Sequence, residues 1–190
     1  MSLRVLRAAA AVERSDEFNE ARLLILMRAA GNEDDSPIVD GIMKLAKMDF
    51  LLRYPEALDR VLAHLRNIQP DRKGLDAHIS PEEKKTIEAK MIRFRYGPYD
   101  WGYRRWFRIL LAKGLVLIYR KGATIKLELT RKGESIAEQI AVQTAFWPLA
   151  ERAEVVNRAI GSMRGTKATD MIYEVVPELN GLRWGEEILL

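Results

Sequence analysis

Apolar residues recur along this chain mostly at three- and four-residue intervals, interrupted by a few stretches of other pattern. Ser15 precedes a segment with Asp16 and Glu17 in its first turn and Phe18, Ala21, Leu24, Ile25 and Met27 behind them. That is the pattern of an N-capped helix, which Gly31 would stop. A polar loop over 32–36 follows, and Ser36-Pro37 predicts a restart with proline at the first helical position. Ile38, Ile42, Leu45, Met48 and Leu52 then share one stripe, predicting a helix over 38–54 that Pro55 ends. A shorter helix over 56–66 would bury Leu58, Val61, Leu62 and Leu65, and the unpatterned stretch 67–79 is a loop.

Ser80-Pro81-Glu82-Glu83 is a capping box and predicts a helix over 81–94. Tyr96-Gly97-Pro98-Tyr99 is a turn, Asp100 caps a helix over 101–113, and Gly114 stops it. Two β-rich runs, 115–121 and 123–129, flank Gly122 and predict a hairpin. In the second run Thr124, Lys126 and Glu128 take one face, and Ile125, Leu127 and Leu129 take the other. Thr130 caps a helix through Ile136, Ile140 and Val142; Pro148 interrupts it, and 149–163 is helical again. Thr166 begins a last helix with Met171, Ile172 and Val175 inward, which Pro177 ends, and the tail 181–190 offers Leu182, Trp184, Ile188 and Leu189 for burial.

The fold class is therefore mainly α with a small β-hairpin. Three helices, a hairpin and a helix are the order of a winged-helix module, here built from 38–54, 81–94 and 101–113 with 115–129 as the wing. This divides the chain into an N-terminal helical region (1–79), a winged-helix segment (80–143) and a C-terminal helical extension with its tail (144–190).

With 190 residues, 48% hydrophobic and 31% charged, the chain has the composition of a globular protein that buries its own core. No apolar run approaches the roughly 18 residues that cross a bilayer, which excludes an integral membrane protein. The absence of cysteine excludes a disulfide scaffold, a thiol nucleophile and a cysteine zinc site. The apolar stretch within 1–12 is too short for a secretory signal, so a cytoplasmic protein is expected.

Charge changes the picture more. The net charge is only +4, but residues 90–132 carry twelve cations and two carboxylates, a local +10 against −6 elsewhere. Such asymmetry suits a polyanion or an acidic partner. In winged helices that bind DNA, the third helix enters the major groove, and cations there neutralise phosphates. The candidates are Arg104, Arg105, Arg108 and Lys113 on that helix and Arg120, Lys121 and Lys126 at the wing, with Tyr103, Phe107, Leu110 and Leu111 toward the core. The alternative is an ordinary solvated helix face. The dense aromatics Tyr96, Tyr99, Trp101, Tyr103, Trp106 and Phe107 serve core and turn packing more often than base stacking.

Catalytic chemistry finds little support. His64 and His78 have no ligand-spaced carboxylate or cysteine, and Gly165-Thr166-Lys167 lacks the glycines of a phosphate loop. Glu186-Glu187 and Asp34-Asp35 are solvent pairs, and Lys44, Lys47 and Asp49 read as helix surface. No enzyme activity, metal or cofactor is expected.

Three segments look like something specific. The first is Gly41-Ile42-Met43-Lys44-Leu45-Ala46-Lys47-Met48-Asp49-Phe50-Leu51-Leu52-Arg53-Tyr54-Pro55. The second is Arg93-Phe94-Arg95-Tyr96-Gly97-Pro98-Tyr99-Asp100 with the helix that ends Lys113-Gly114-Leu115-Val116. The third is Ile172-Tyr173-Glu174-Val175-Val176-Pro177-Glu178 with Trp184-Gly185-Glu186-Glu187-Ile188. Together they resemble the small winged-helix middle subunit of bacterial three-component ABC-ATPase defence systems of the Lamassu type, over about 22–188. The resemblance implies a non-catalytic bridging subunit of an anti-phage or anti-plasmid complex. It would link an SMC-like ATPase that senses DNA to an effector nuclease, in a hetero-oligomer away from the membrane. The basic segment would then face double-stranded DNA or an acidic partner surface. The tail, through Trp184 and Ile188, would dock a partner or pack back on the chain's own core. The alternative is a winged-helix transcriptional regulator acting as a homodimer on a roughly palindromic site.

Overall fold

The computed structural model describes residues 15–31, 38–75, 77, 79–84 and 90–190. The leader 1–12, the loop 32–36, the restart at Pro37, and His78 lie outside the described residues. The molecule is mainly α-helical with small antiparallel sheets.

Helix α1 (Asp16–Ala29) begins as its sequence predicts: the Ser15 hydroxyl accepts the Phe18 N–H at 3.1 Å. Leu23 to Met27 are all buried, more than one amphipathic stripe. A helix apolar all round is a central helix, and α1 is enclosed by the helices that follow. Strand β1 (Ile38–Asp40) corrects the helix expected over 38–54. Two β-branched residues open the segment, and Gly41 at φ +88° adopts backbone that a helical residue cannot. The helix, α2, therefore spans only Ile42–Arg53. Pro55 ends it and also starts α3 (Pro55–Ile68) from the first-turn position. Its predicted buried side is the observed one: Leu58, Val61, Leu62 and Leu65.

The capping box closes as expected. Ser80 Oγ accepts the Glu83 N–H at 3.2 Å, and a Glu83 carboxylate oxygen accepts the Ser80 N–H at 3.0 Å. The helix it opens, α4, is described only over Pro81–Lys84. Its expected C-terminal end is instead strand β2 (Ile92–Phe94), paired antiparallel to β3 (Gly97–Tyr99), so three of the four residues of the expected turn at 96–99 are strand. A non-local partner decides this. The tail lies against β2, with Gly185 N–H on Arg93 O, Arg93 N–H on Glu186 O and Ile188 N–H on Met91 O, each at 2.8 Å.

Helix α5 (Tyr103–Ala112) leads into β4 (Val116–Lys121) and β5 (Thr124–Leu129), a hairpin in the predicted place. Strand β1 adds to β5, giving a three-stranded sheet in the order β1-β5-β4 with Val39 opposite Leu127. Thr130 caps α6 (Arg131–Ala141), its hydroxyl accepting the Gly133 N–H at 3.0 Å. Pro148 does not interrupt a helix but sits in the first turn of α7 (Trp147–Val156), which runs into a π-helical turn at Asn157–Gly161. Helices α8 (Gly165–Val175) and α9 (Glu178–Gly181) complete the chain before the tail.

Tyr54, between α2 and α3, anchors the tail. Its hydroxyl accepts the Met91 N–H at 2.7 Å and donates to Ile188 O at 3.1 Å. Burial pushes this hydroxyl up to about 12. The folded state thus holds the proton more tightly than the unfolded chain, whose tyrosines titrate near about 10. Its contribution is complete below that pH and is lost as pH rises toward 12. Urea midpoints measured from pH 8 to 11.5 should therefore fall on the alkaline side. Tyr54→Phe should be less stable at pH 8 yet decline less steeply; an equally steep decline would discount the anchor.

Candidate nucleic-acid interface

Helix α5 turns Tyr103, Trp106, Phe107 and Leu110 inward and leaves Arg104, Arg105 and Arg108 exposed. Leu111 departs from expectation: it is 41% exposed, and Trp106 takes the inward place. The Asp100 carboxylate accepts the Gly102 N–H at 2.7 Å at the helix entrance.

What fixes α5 against the core is a buried ionic cluster. Asp49 on α2 pairs with Arg22 Nε of α1 at 2.8 Å and with Arg53 at 3.0 Å, all three side chains fully buried. The Tyr103 hydroxyl donates to the same carboxylate at 2.7 Å. Arg53 also pairs with Asp100 at 2.8 Å. Both guanidinium groups lie over the Trp106 ring, 5.5 and 5.9 Å from its centroid, and Trp106 Nε1 donates to Asp16 at 3.0 Å. Burial alone would raise the Asp49 pKa, but Arg22, Arg53 and the Tyr103 hydroxyl outweigh it and hold the carboxyl below its ordinary value. Burial pushes the Tyr103 hydroxyl well up, and the adjacent Asp49 adds to this. A cluster of this kind ties α1, α2 and the start of α5 into one orientation.

This corrects the surface reading of Lys47 and Asp49. Asp49 is fully buried and Lys47 nearly so, its ammonium donating to Met43 O at 3.2 Å, because other elements cover α2 on its polar side as well. Two signals in the sequence pointed there: a lone carboxylate inside the apolar run Met48 to Leu52, and an arginine four residues on.

The seven basic candidates divide. Arg105 pairs with Asp16, Lys113 with Glu20 and Lys126 with Asp40. Arg104, Arg108 and Lys121 have no carboxylate at ion-pair distance among the described residues, and neither does Arg120, whose Nε donates to Gly122 O at 2.8 Å. The free cations thus lie on the outer face of α5 and at the hairpin tip. Leu117, Tyr119 and Ile125 of the hairpin are exposed beside them, a feature the alternation of β5 alone did not give. Of the tail candidates, Trp184 is 65% exposed, whereas Ile188 is fully buried against the chain's own core. The self-packing alternative is the one realised for Ile188.

Among the described residues, no helix is long and apolar enough to cross a membrane, and no three His, Asp or Glu side chains gather to hold a metal ion. His64 lies 3.7 Å from Glu174 at the α3–α8 surface. No family model matches the chain, and comparisons with curated proteins and with solved structures return no match.

Proposed function

We propose that this chain is a non-catalytic, cytoplasmic winged-helix subunit of an SMC-like ATPase defence complex. It links the ATPase to an effector nuclease and meets double-stranded DNA through α5 and the β4–β5 wing. The observation that carries the DNA contact is the pair Arg104 and Arg108, one turn apart on the exposed face of α5 and free of carboxylates among the described residues.

The topology supports the winged-helix reading with a different set of helices from the sequence expectation. Helix α1, strand β1, helix α2, helix α5 and the β4–β5 hairpin follow one another in winged-helix order, and the sheet order β1-β5-β4 is the one such a module needs. Residues 55–99, with α3, α4 and the β2–β3 hairpin, are then an insertion between the second and third helices. Residues of the three resembling segments meet in the fold. Arg53 of the first pairs with Asp100 of the second, and Tyr54 of the first holds Ile188 of the third.

Arg104→Ala with Arg108→Ala should weaken duplex DNA binding and lower the slope of log affinity against log salt by about 2. Fluorescence anisotropy over a salt series reads both. An unchanged slope overturns DNA contact through α5. Co-purification from the native operon with an SMC-like ATPase is the expected result for the bridging role. A chain that stays alone and monomeric overturns it, and a homodimer on a palindromic site favours the regulator instead.

A further inference from the structure

Trp101 is 56% exposed, yet it is firmly placed. Its ring meets Phe94 and Tyr99 edge-on, with centroids 5.4 and 5.6 Å away and interplanar angles of 77° and 79°. Tyr99 in turn meets Tyr103 at 5.3 Å and Tyr103 meets Trp106 at 5.7 Å. The series runs from the surface to the buried cluster around Asp49. An indole in this setting is pre-organised, and the edge-to-face geometry is the favoured one. Its remaining exposed area has no intramolecular use among the described residues.

The surroundings indicate what would cover it. Gly102 already has helical dihedrals, φ −63° and ψ −24°, and Tyr103 N–H donates to Asp100 O, so the chain is turning as a helix from Asp100 onward. Trp101, Arg104 and Arg108 therefore stand at i, i+3 and i+7, on one side of a helical backbone. On the adjoining β2–β3 turn, Arg95 lies over the 54%-exposed Tyr96 ring at 5.2 Å. Asp100, the single carboxylate between residues 90 and 119, is turned onto Arg53 and offers little negative charge to this surface. A rigid exposed ring in line with unpaired arginines is the arrangement that stacks a base while cations hold the neighbouring phosphates.

We propose that Trp101 is a base-stacking platform at the N-terminal end of the α5 arginine stripe, so that this face takes DNA with an unpaired base beside the duplex. The proposal rests on the reading of α5 as a DNA-contacting helix. In an intact closed duplex every base face is already stacked on a neighbour. A frayed end, an overhang or a bubble supplies a free one.

The test compares a duplex closed at both ends by non-nucleotide ethylene-glycol linkers, a dumbbell with no loop bases, with the same duplex opened at one end to carry a short single-stranded overhang, using the 190-residue chain and anisotropy. The overhang DNA should bind about tenfold more tightly, within the range measured for one stacked base. Trp101→Leu should remove that preference and leave dumbbell affinity unchanged, while Trp101→Phe, which keeps a ring, should restore part of it. Arg104→Ala with Arg108→Ala should weaken binding of both DNAs. Equal affinities of the wild-type chain for the two DNAs, or a preference that survives Trp101→Leu, overturn the stacking role. If the arginine variant binds both DNAs like the wild type, the reading of α5 itself is what falls.

Discussion

Asp49→Ala is expected to cost about 3–5 kcal/mol of folding stability, the range for breaking a buried ion pair from one side. The carboxylate lies between Arg22 and Arg53, and no solvent reaches any of the three side chains. Removing it leaves two buried guanidinium groups facing each other, with Asp100 paired to Arg53 alone. Tyr103 also loses its acceptor. Urea unfolding at pH 7 measures the loss, and a change under about 1 kcal/mol would contradict the assignment. Charge and cavity separate in a second variant. Adding Arg22→Met to Asp49→Ala removes one uncompensated cation and should recover part of the stability, whereas a pure cavity effect predicts a further loss. The pH dependence gives a third check. Because the folded state holds the Asp49 carboxyl below its unfolded value, its contribution is complete above about pH 3.9 and is lost as pH falls through the folded value. The advantage of wild type over Asp49→Ala should therefore persist down to about pH 4 and shrink only below it.

The same cluster shows where sequence reasoning reached and where it stopped. Signals confined to a few residues were legible: the Ser15, Ser80 and Thr130 caps and the Gly122 hairpin all form as their local patterns predict. Elements whose stability comes from distant partners were not. Three residues of β1 carry no period of their own and become a strand by pairing with β5, and β2 with the tail forms across a large separation in sequence. Burial of Asp49 failed for a related reason. The stripe on one helix reports which side is apolar, but not whether another helix covers the opposite side. Charge behaved likewise. The segment 90–132 is strongly basic along the chain, but folding delivers Asp16, Glu20, Asp40 and Glu187 to Arg105, Lys113, Lys126 and Lys90. What survives as an unpaired basic surface is narrower than the linear count and centres on Arg104, Arg108 and the hairpin tip.

Gly133→Ala is expected to destabilise the fold by about 3 kcal/mol, the upper end of the usual range for overpacking, which is about 10 °C in melting temperature for a chain of this size. A Cβ at this position would stand 2.0 Å from Leu115 O and 3.0 Å from Leu115 C, both backbone atoms, with Leu129 Cδ2 at 3.3 Å. Neither side can yield cheaply. Leu115 O is held by the Thr130 N–H at 3.0 Å, and the Thr130 hydroxyl donates to Gly114 O at 2.8 Å while it caps Gly133 itself. The first turn of α6 is thereby clamped to the residue that begins the wing, which is why a glycine follows the Leu129-Thr130 exit by three residues. Gly165→Ala is the control. It lies at the start of α8 with nothing within 4 Å of the added methyl, so a neutral or slightly stabilising change is expected. Thermal melts of both variants decide the matter, and similar small shifts would show that α6 can move off Leu115 freely. The clamp also sets the direction in which the wing leaves the body. On the proposed reading of α5 and the wing as a DNA contact, any part of Gly133→Ala that still folds at low temperature should bind duplex DNA more weakly than wild type, although Arg104, Arg108, Arg120 and Lys121 are all unchanged, because the hairpin cations would no longer share a surface with α5.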